Sequence, residues 1–393
     1  MQVTFAGHPF LFVNPKYRGQ YFPPSEKTLQ WFNYGGDKIW PMPEGSEDDQ
    51  HWPGPVSDAL DDGDYAFRSI SHAQQCVVRL DGPPDARTGL EYSREISIGS
   101  DTPEISFRAT MKNSSTHPIR WSVESVTQYD TADTAHSDYN HDFWAFTPAN
   151  AQSSYLDGFH VRSGLAEDPS YSVKNQMFSL HWLYLQGEVW IDSPAGWVAV
   201  VDGSSQFALV ERFHFDHGAE YPGKATVIFY KNGPAVELDS QGKAAIRTSP
   251  EDAPYYMEAE LNSPMVQLAP GGSYRFDTEW FPTRIGSDLK AATDAGVIGT
   301  PLGAAAKSAG VKLSATLGVF FPGQLTARFY DSNGRELAKV PVRDVDPAEI
   351  INLDREIRAP AAAKRVSLDL ITRDGMDRGS LDDVEIQHNA GGS

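Results

Sequence analysis

The stretch from residue 90 to residue 128 decides the fold: it reads LEYSREISI, GSDTP, EISFRATMK, NSSTHP and IRWSVESVTQ in succession. Three runs in which apolar residues tend to alternate with polar ones are separated by short segments rich in Gly, Asp, Asn, Ser and Pro. A period of two is typical of a strand that buries one face, and such turns join antiparallel strands. The stretch therefore predicts three consecutive antiparallel strands.

The same pattern extends outward on both sides, and there is little helical periodicity before residue 285. We expect a mainly β chain whose large domain is an antiparallel sandwich, because no alternation of strands and helices is seen. The segment 130–186, rich in Tyr, His, Asp, Asn and Ser, is predicted to be an irregular insertion over the rim of a binding face. Further strands are predicted at 65–70, 75–80, 197–202, 207–213, 225–231, 255–261 and 273–280.

A change in composition after residue 284 marks the predicted domain boundary. A short helix over Ser287–Ala295 and an Ala/Gly-rich linker up to Gly310 are expected there. Strands at 313–320, 325–330, 336–342 and 366–371 predict a small β sandwich. The predicted organisation is thus a large domain over 1–284, a helix and linker over 285–310, and a small β sandwich over 311–393 with a disordered tail.

Charge and composition limit the partners. The chain has 393 residues and a formal net charge of −20, from 53 acidic and 33 basic residues. Such a charge repels a phosphate backbone, and no run of about 18 apolar residues could span a bilayer. We therefore expect a soluble, acidic protein with no nucleic-acid partner and no membrane insertion. No export signal is visible, which favours a cytoplasmic location, or a periplasmic one if a leader precedes this sequence.

The single cysteine, Cys76, lies in an alternating apolar run. A lone cysteine cannot form an intramolecular disulfide, and free cysteine is among the most buried residue types. The sequence predicts a buried structural thiol.

The segment WFNYGGDKIWP at 31–41 carries the residue types that sugar recognition needs. Its two glycines allow backbone conformations with positive φ. The acidic Asp37, the basic Lys38 and the indole of Trp40 follow them closely. Asp37 and Lys38 can hydrogen-bond hydroxyls with opposite polarity, and Trp31 or Trp40 can cover the apolar face of a pyranose. The alternative interpretation is a hairpin turn with a surface Asp–Lys pair and a core tryptophan.

Two glutamates in YYMEAEL at 255–261 are predicted to share one strand face. Glu258 and Glu260 are two residues apart, so an extended strand points both the same way. Neighbouring carboxylates raise each other's pKa and so can supply a neutral acid or a base near pH 7. The alternative is a solvated strand face with two ordinary acids.

Several separated segments resemble, in the same order, an uncharacterised bacterial family of the galactose-mutarotase-like (aldose-epimerase-like) superfamily. The resemblance covers about residues 8–282 and implies a large two-sheet β supersandwich and a sugar as ligand. The segments are NYGGDKIWP at 33–41, WPGP at 52–55, RTGL at 87–90, VTQ at 126–128, YP at 221–222, MEAE at 257–260 and LAPG at 268–271.

The resemblance also implies roles for individual residues. Mutarotases of this fold use a glutamate as base towards the anomeric hydroxyl and a histidine as acid towards the ring oxygen. Glu260 is then the first candidate base and Glu258 the second. His214, with Asp216 two residues on, is the candidate acid, with a structural histidine as the alternative. Gln128 is either a hydroxyl-binding residue or an amide that stabilises the sheet.

Two polar loops contain possible metal ligands, but neither has a recognised spacing. They are His136 to Asp142 and His214 to His217. Neither matches a zinc site or the regular Asp/Asn pattern of a calcium loop, so no metal and no cofactor is predicted, with a structural calcium as a minor alternative.

These observations predict a carbohydrate-active enzyme that acts at or near an anomeric centre by acid–base catalysis. The expected partner is a mono- or oligosaccharide. A glycoside hydrolase or polysaccharide lyase on the same scaffold is one alternative, because fold does not dictate reaction. A non-catalytic glycan-binding protein is another.

Overall fold

A computed structural model describes residues 1–23, 26, 30–45, 50–55, 59–70, 74–238, 244–246, 254–308 and 310–388. Within these ranges the chain is mainly β, as predicted, with antiparallel pairing between the named strands. No helix in the described ranges is long and apolar enough to cross a membrane.

The chain divides into two compact units. The first comprises Met1–Ser100, Ile105–Val200 and Glu211–Trp280, and the second comprises Asp101–Glu104, Val201–Val210 and Phe281–Ser393. The strands up to residue 284 are β1 (Thr4–Phe5), β2 (His8–Pro9), β3 (Asp37–Met42), β4 (Ala66–Ser69), β5 (Gln75–Asp81), β6 (Leu90–Gly99), β7 (Ile105–Asn113), β8 (Ile119–Asp130), β9 (Ala132–Asp133), β10 (Asp138–Tyr139), β11 (Phe143–Pro148), β12 (His160–Ser163), β13 (Tyr171–Lys174), β14 (Met177–His181), β15 (Gly187–Ile191), β16 (Trp197–Asp202), β17 (Phe207–Phe213), β18 (Val227–Lys231), β19 (Val236–Leu238), β20 (Ala244–Ile246), β21 (Tyr256–Asn262), β22 (Val266–Leu268) and β23 (Ser273–Arg284). The helices are α1 (Ala59–Asp62) and a 3₁₀ turn at Pro222–Lys224.

Two large sheets contain most of the strands up to residue 284. One has ten strands in the order β13-β14-β11-β16-β17-β23-β7-β6-β5-β4. The other has seven, with β12-β15-β18-β21-β8-β22 in a row and β3 also paired to β8. The three strands predicted between residues 90 and 128 are present as β6, β7 and β8, but only the first two pair with each other, because β8 crosses to the seven-stranded sheet.

The two sheets pack face to face through buried side chains. Phe178 of the ten-stranded sheet stacks on Phe229 of the seven-stranded sheet with ring centroids 5.9 Å apart. Tyr129 donates a hydrogen bond of 2.5 Å to Glu211 across the same interior. Because side chains alternate along a strand, the next residues on β8, β18 and β21 point to the opposite face of the seven-stranded sheet.

The glycine pair before β3 adopts positive φ, as the sequence predicted. Gly35 and Gly36 have φ of 82° and 86°. A Cβ atom at Gly35 would collide with the carbonyl oxygen of Phe12, so glycine is needed for close approach as well as for the turn. The turn lets β3 run antiparallel to β8, with Asp37 opposite Thr127.

The segment 130–186 is more regular than predicted. The strands β11, β13 and β14 add to one end of the ten-stranded sheet, and β12 pairs with β15 at the edge of the other sheet. Apart from the buried Thr147, the polar residues on these strands are half-buried or exposed, and this weakened the alternation on which the prediction relied.

The prediction for Cys76 is wrong, because its side chain is exposed. It lies on β5 beside the edge strand β4, and its neighbour Val77 takes the buried face at 9% exposure. Burial does not alternate along β5, and the exposed part of the strand includes the thiol.

The second unit contains two four-stranded antiparallel sheets, ordered β24-β25-β26-β29 and β28-β27-β30-β31. Each sheet contributes fully buried side chains, among them Leu313, Leu317, Leu325 and Phe329. The strands are β24 (Ala291–Ala292), β25 (Gly296–Lys307), β26 (Gly310–Val319), β27 (Gly323–Tyr330), β28 (Glu336–Val345), β29 (Ile351–Ile357), β30 (Arg365–Thr372) and β31 (Asp377–Glu385).

The helix and linker expected over 285–310 are not present. The short strand β24 and the twelve-residue strand β25 occupy this region instead. Small residues serve close packing here: a Cβ atom at Gly296 would collide with the carbonyl oxygen of Gly318 on the paired strand. In the predicted tail, Gln387 forms a bridge to Ala305, and residues 389–393 lie outside the described residues.

Candidate active site

A cleft of about 500 Å³ lies on the seven-stranded sheet of the first unit, on the face opposite the packed interior. Strands β3, β8, β12, β15, β18 and β21 all contribute side chains to it. The lining is unusual in combining aromatic rings with many carboxyl groups. It comprises Trp31, Trp40, Met42, Glu44, Gly45, Pro55, Glu124, Arg162, Ser163, Glu188, Trp190, Ile228, Tyr230, Tyr256, Glu258 and Glu260.

Strand register brings these residues together in rows across the sheet. Glu188 lies opposite Tyr230, which lies opposite Glu258, which lies opposite Gln128. A second row, two residues along, runs from Trp190 through Ile228 and Glu260 to Val126 and Lys38. Directly opposed residues are about 5 Å apart at Cβ, so neighbouring members of a row are in contact range.

Glu258 is held by a neutral amide. Gln128 Nε2 donates a hydrogen bond of 2.5 Å to Glu258 Oε1. Burial raises the pKa of Glu258 to about 7, although the Gln128 hydrogen bond and the charge of Lys38 act in the opposite direction. A carboxyl group with a pKa near 7 can exchange a proton in either direction at neutral pH.

The carboxyl groups of Glu124 and Glu260 form a second feature of the cleft, beside Glu258. Burial raises the pKa of both groups well above the usual range, and their proximity to other glutamates raises it further. The two carboxyl groups are close enough to change each other's pKa, and the charge of Glu124 raises the pKa of Glu260. Glu124 Oε1 is buried and has no hydrogen-bond partner among the described residues.

Glu44 and Glu188 complete the set of carboxyl groups. Burial and then the charge of Glu188 raise the pKa of Glu44 to about 7, with Arg162 acting in the opposite direction. Burial also raises the pKa of Glu188, whose carboxylate accepts a hydrogen bond from the Trp190 indole. The cleft therefore contains several protonatable acids within one site.

The aromatic wall is oriented by Asp61 on α1. The indole nitrogens of Trp31 and Trp40 donate to its two carboxylate oxygens at 2.7 Å and 2.8 Å. Lys38 Nζ lies 3.3 Å from Asp61 Oδ1 and 5.3 Å from the Trp31 ring centroid. One buried carboxylate thus fixes two indoles and a lysine.

Four of the predicted site residues line the cleft: Glu258, Glu260, Trp31 and Trp40. Gln128 does not line it, but its hydrogen bond to Glu258 makes it a positioning residue.

Asp37 and Lys38 line a second cavity of about 410 Å³ rather than the cleft. Asp37 forms a buried ion pair with Arg94 and accepts a 3.1 Å hydrogen bond from Thr127. Lys38 pairs with Asp61. The structure therefore assigns both residues contacts within the protein, where sequence reasoning had expected contacts with a sugar.

His214 is not joined with Glu260. It follows β17 of the ten-stranded sheet, its side chain is exposed, and it is not among the residues that line the cleft. The predicted pairing failed because β17 and β21 belong to different sheets, which spacing along the chain does not reveal.

Sequence reasoning missed Glu44, Glu124, Glu188 and Asp61. A signal for Glu124 was available, because it shares its strand face with Gln128. Glu188 and Trp190 likewise lie two residues apart on β15 and therefore share one strand face. Glu44 and Asp61 lie outside strand interiors and follow no period, so only the tertiary structure identifies them.

The two polar loops form local pairs. His136 Nδ1 lies 2.7 Å from Asp133 Oδ2, and His141 Nε2 lies 3.1 Å from Asp138 Oδ2. Among the residues that the structure describes, no group of three or more His, Cys, Asp or Glu side chains is arranged to hold a metal ion. The expectation that no cofactor is needed stays a prediction.

The solved structures described below are distant from this chain in sequence. No protein-family model and no curated protein matches the sequence. A galactose mutarotase-like protein from Lactobacillus casei matches with a TM-score of 0.42 and 10% identity, over 72% of this chain and 99% of that one. A galactose mutarotase-like protein from Clostridium acetobutylicum matches with a TM-score of 0.39 and 10% identity, over 70% and 86%.

A TPR-domain containing protein from Parabacteroides distasonis matches with a TM-score of 0.40 and 14% identity, over 64% of this chain. The match spans only 38% of that protein's length. The first two proteins bear the galactose-mutarotase-like description that the sequence segments had indicated. At these identities and TM-scores the likeness concerns the fold and carries no argument about a reaction.

Proposed function

We propose that this protein is a carbohydrate-active enzyme that acts at or near the anomeric centre of a sugar by acid–base catalysis. The observation that carries the proposal is the meeting of Glu258 and the Glu124–Glu260 carboxyl pair in one cleft beside Trp40 and Trp190. The sequence resemblance independently favours a sugar as ligand. Indole rings cover apolar sugar faces, and carboxyl groups bind and deprotonate hydroxyls.

The proton chemistry follows from the different environments of the three carboxyl groups. Glu258, with a pKa of about 7, serves as the base that takes the proton from the anomeric hydroxyl. The Glu124–Glu260 pair holds a proton and donates it to the ring oxygen as the bond from the anomeric carbon to that oxygen breaks. Reclosure on the other face reverses both transfers and gives the other anomer. Positioned proton transfer of this kind contributes about 10²- to 10⁴-fold to a rate.

Glycoside hydrolysis is a second candidate, favoured by the placement of Glu258 and Glu260 on one strand. Glycosidases use two carboxyl groups that flank the scissile bond, roughly 5–9.5 Å apart. Glu258 and Glu260 both line the cleft, and each influences the pKa of the other. Hydrolysis needs a glycosidic substrate, whereas anomer exchange needs a free anomeric hydroxyl, so the substrate separates the two candidates.

The test is a measurement of anomer interconversion by magnetisation-exchange NMR over a panel of reducing monosaccharides, with release of reducing ends from oligosaccharides assayed in parallel. We expect the wild type to accelerate interconversion and Glu260→Gln to reduce the rate by about 10²-fold or more. Glu279→Gln, an exposed glutamate on β23, is the matched control and should retain full activity. Sugar binding without acceleration of either reaction would identify a non-catalytic glycan-binding protein and overturn the proposal.

A further inference from the structure

Acidic side chains greatly outnumber basic ones in the lining of the cleft. Five glutamates line it, against one arginine, Arg162. Arg162 is exposed, its guanidinium lies 5.8 Å from the Trp190 ring centroid, and its charge acts on Glu44 and Glu188. The inner carboxyl groups of Glu124, Glu258 and Glu260 form no ion pair within the described part of the chain.

The lysine whose charge acts on Glu258 already has a partner. Lys38 influences Glu258 through its charge, but its ammonium group pairs with the buried carboxylate of Asp61 at 3.3 Å. A phosphate or carboxylate group placed beside Glu124, Glu258 and Glu260 would therefore meet buried acids, whereas the arginine that lines the cleft, Arg162, is exposed and acts on Glu44 and Glu188 instead. Like charges in a poorly solvated site repel each other strongly.

An acceptor for a ligand donor is also present. Glu124 is 1% exposed, lines the cleft, and has one carboxyl oxygen with no hydrogen-bond partner among the described residues. Buried polar atoms are normally paired, and a buried acceptor left without a partner destabilises the structure. A donor carried by the ligand would satisfy it.

We propose that the cleft selects sugars that carry a protonated amine, that is, 2-amino-2-deoxy sugars or glycans built from them. The ammonium group binds among Glu124, Glu258 and Glu260, while the ring lies against the indoles of Trp40 and Trp190. An ammonium has three donors and no acceptor, which matches a set of carboxyl groups. This inference rests on the proposed sugar site but not on the proposed reaction.

The test compares three methyl glycosides that share one ring: methyl β-glucosaminide, methyl β-glucoside and methyl β-glucuronide. None has a free anomeric hydroxyl, so anomer exchange cannot occur and only binding is measured, by isothermal titration calorimetry or ligand-observed NMR at constant ionic strength. We expect the glucosaminide to bind about tenfold or more tightly than the glucoside, equivalent to about 1.4 kcal/mol. The glucuronide should bind more weakly than both.

Glu124→Gln should weaken glucosaminide binding about tenfold more than it weakens glucoside binding, since the glucoside carries no ammonium group to lose its contact with Glu124. Glu279→Gln should leave all three affinities unchanged, and thermal unfolding checks that both variants fold.

Methylamine tests whether the ammonium charge alone is sufficient for binding. Equal affinity for methylamine and the glucosaminide would overturn the inference.

Equal affinity for glucoside and glucosaminide, or binding of none of the three glycosides, would also overturn it. The two proposals fail separately. Preference for the glucosaminide without anomer exchange or hydrolysis removes the proposed reaction and leaves the inference standing. Turnover of neutral sugars without a preference for the glucosaminide removes the inference and leaves the proposed reaction standing.

Discussion

Glu124 on β8 and Glu260 on β21 face the same cleft from neighbouring strands, and the charge of Glu124 raises the pKa of the Glu260 carboxyl group. Burial keeps the pKa of each well above the usual range. Ionising both carboxyl groups is unfavourable when they are close. The pair therefore retains a proton at a pH where an exposed glutamate has lost it.

Removing one member of this pair should change the other. In Glu124→Gln the charge of Glu124 no longer raises the pKa of Glu260, so that pKa should fall. The measurement is a titration of the glutamate carboxyl carbons by ¹³C NMR. An unchanged or higher pKa of Glu260 in the variant would contradict the coupling, and Glu279→Gln supplies the control titration.

The stability of the protein should depend on pH through the cleft. Burial raises the pKa of Glu44 and of Glu258 from the ordinary 4.5 to about 7 in the folded state. Because the folded pKa is raised, the contribution to stability is fully present below the unfolded pKa and is lost as pH rises from about 4.5 through 7. Glu258→Gln, which cannot ionise, should therefore gain about 1–3 kcal/mol of unfolding free energy relative to wild type between pH 5 and pH 8.5.

Denaturant titrations at the two pH values measure this difference. The comparison with wild type removes the contribution of titrating groups elsewhere in the chain. Glu279→Gln should follow the wild type at both values. A Glu258→Gln variant whose relative stability does not change with pH would show that Glu258 titrates normally.

Gln128 should set the pKa of the base Glu258 rather than bind the sugar. In Gln128→Leu, the loss of its hydrogen bond removes an interaction that lowers the pKa of Glu258, so that pKa should rise. The acidic limb of the pH–rate profile should then move to higher pH, with KM little changed. Gln267→Leu, at an exposed position on β22, is the matched control. A large rise in KM with an unmoved profile would instead indicate direct contact with the sugar.

Asp61 should organise the aromatic wall. Asp61→Ala removes the acceptor of two buried indole donors and the partner of Lys38, and should destabilise the fold by about 2–5 kcal/mol. Sugar affinity should fall as well, because Trp31 and Trp40 lose their fixed orientation. Tryptophan fluorescence, chemical denaturation and calorimetry measure these effects, with the exposed Asp64→Ala as control. Unchanged fluorescence and affinity would contradict the assignment.

Much of the fold could be predicted from local pattern. The strands Trp197–Asp202 and Phe207–Phe213 match their predicted bounds to the residue, and most others differ by a few residues at their ends. The strand β25 was missed because its Gly and Ala residues lack the side chains that make alternation visible.

The amino-acid sequence alone established the β character of the chain, the shared face of Glu258 and Glu260, and the positive φ of the glycines before β3. Each of these depends on neighbouring residues only, since the alternation of a strand and the missing Cβ of glycine are local properties. The tertiary structure decided the rest. It turned Asp37 towards Arg94, separated His214 from Glu260, and brought Glu44, Glu124 and Glu188 to the same cleft. Strand order and register are set by contacts between distant segments, so no local pattern could have contained them.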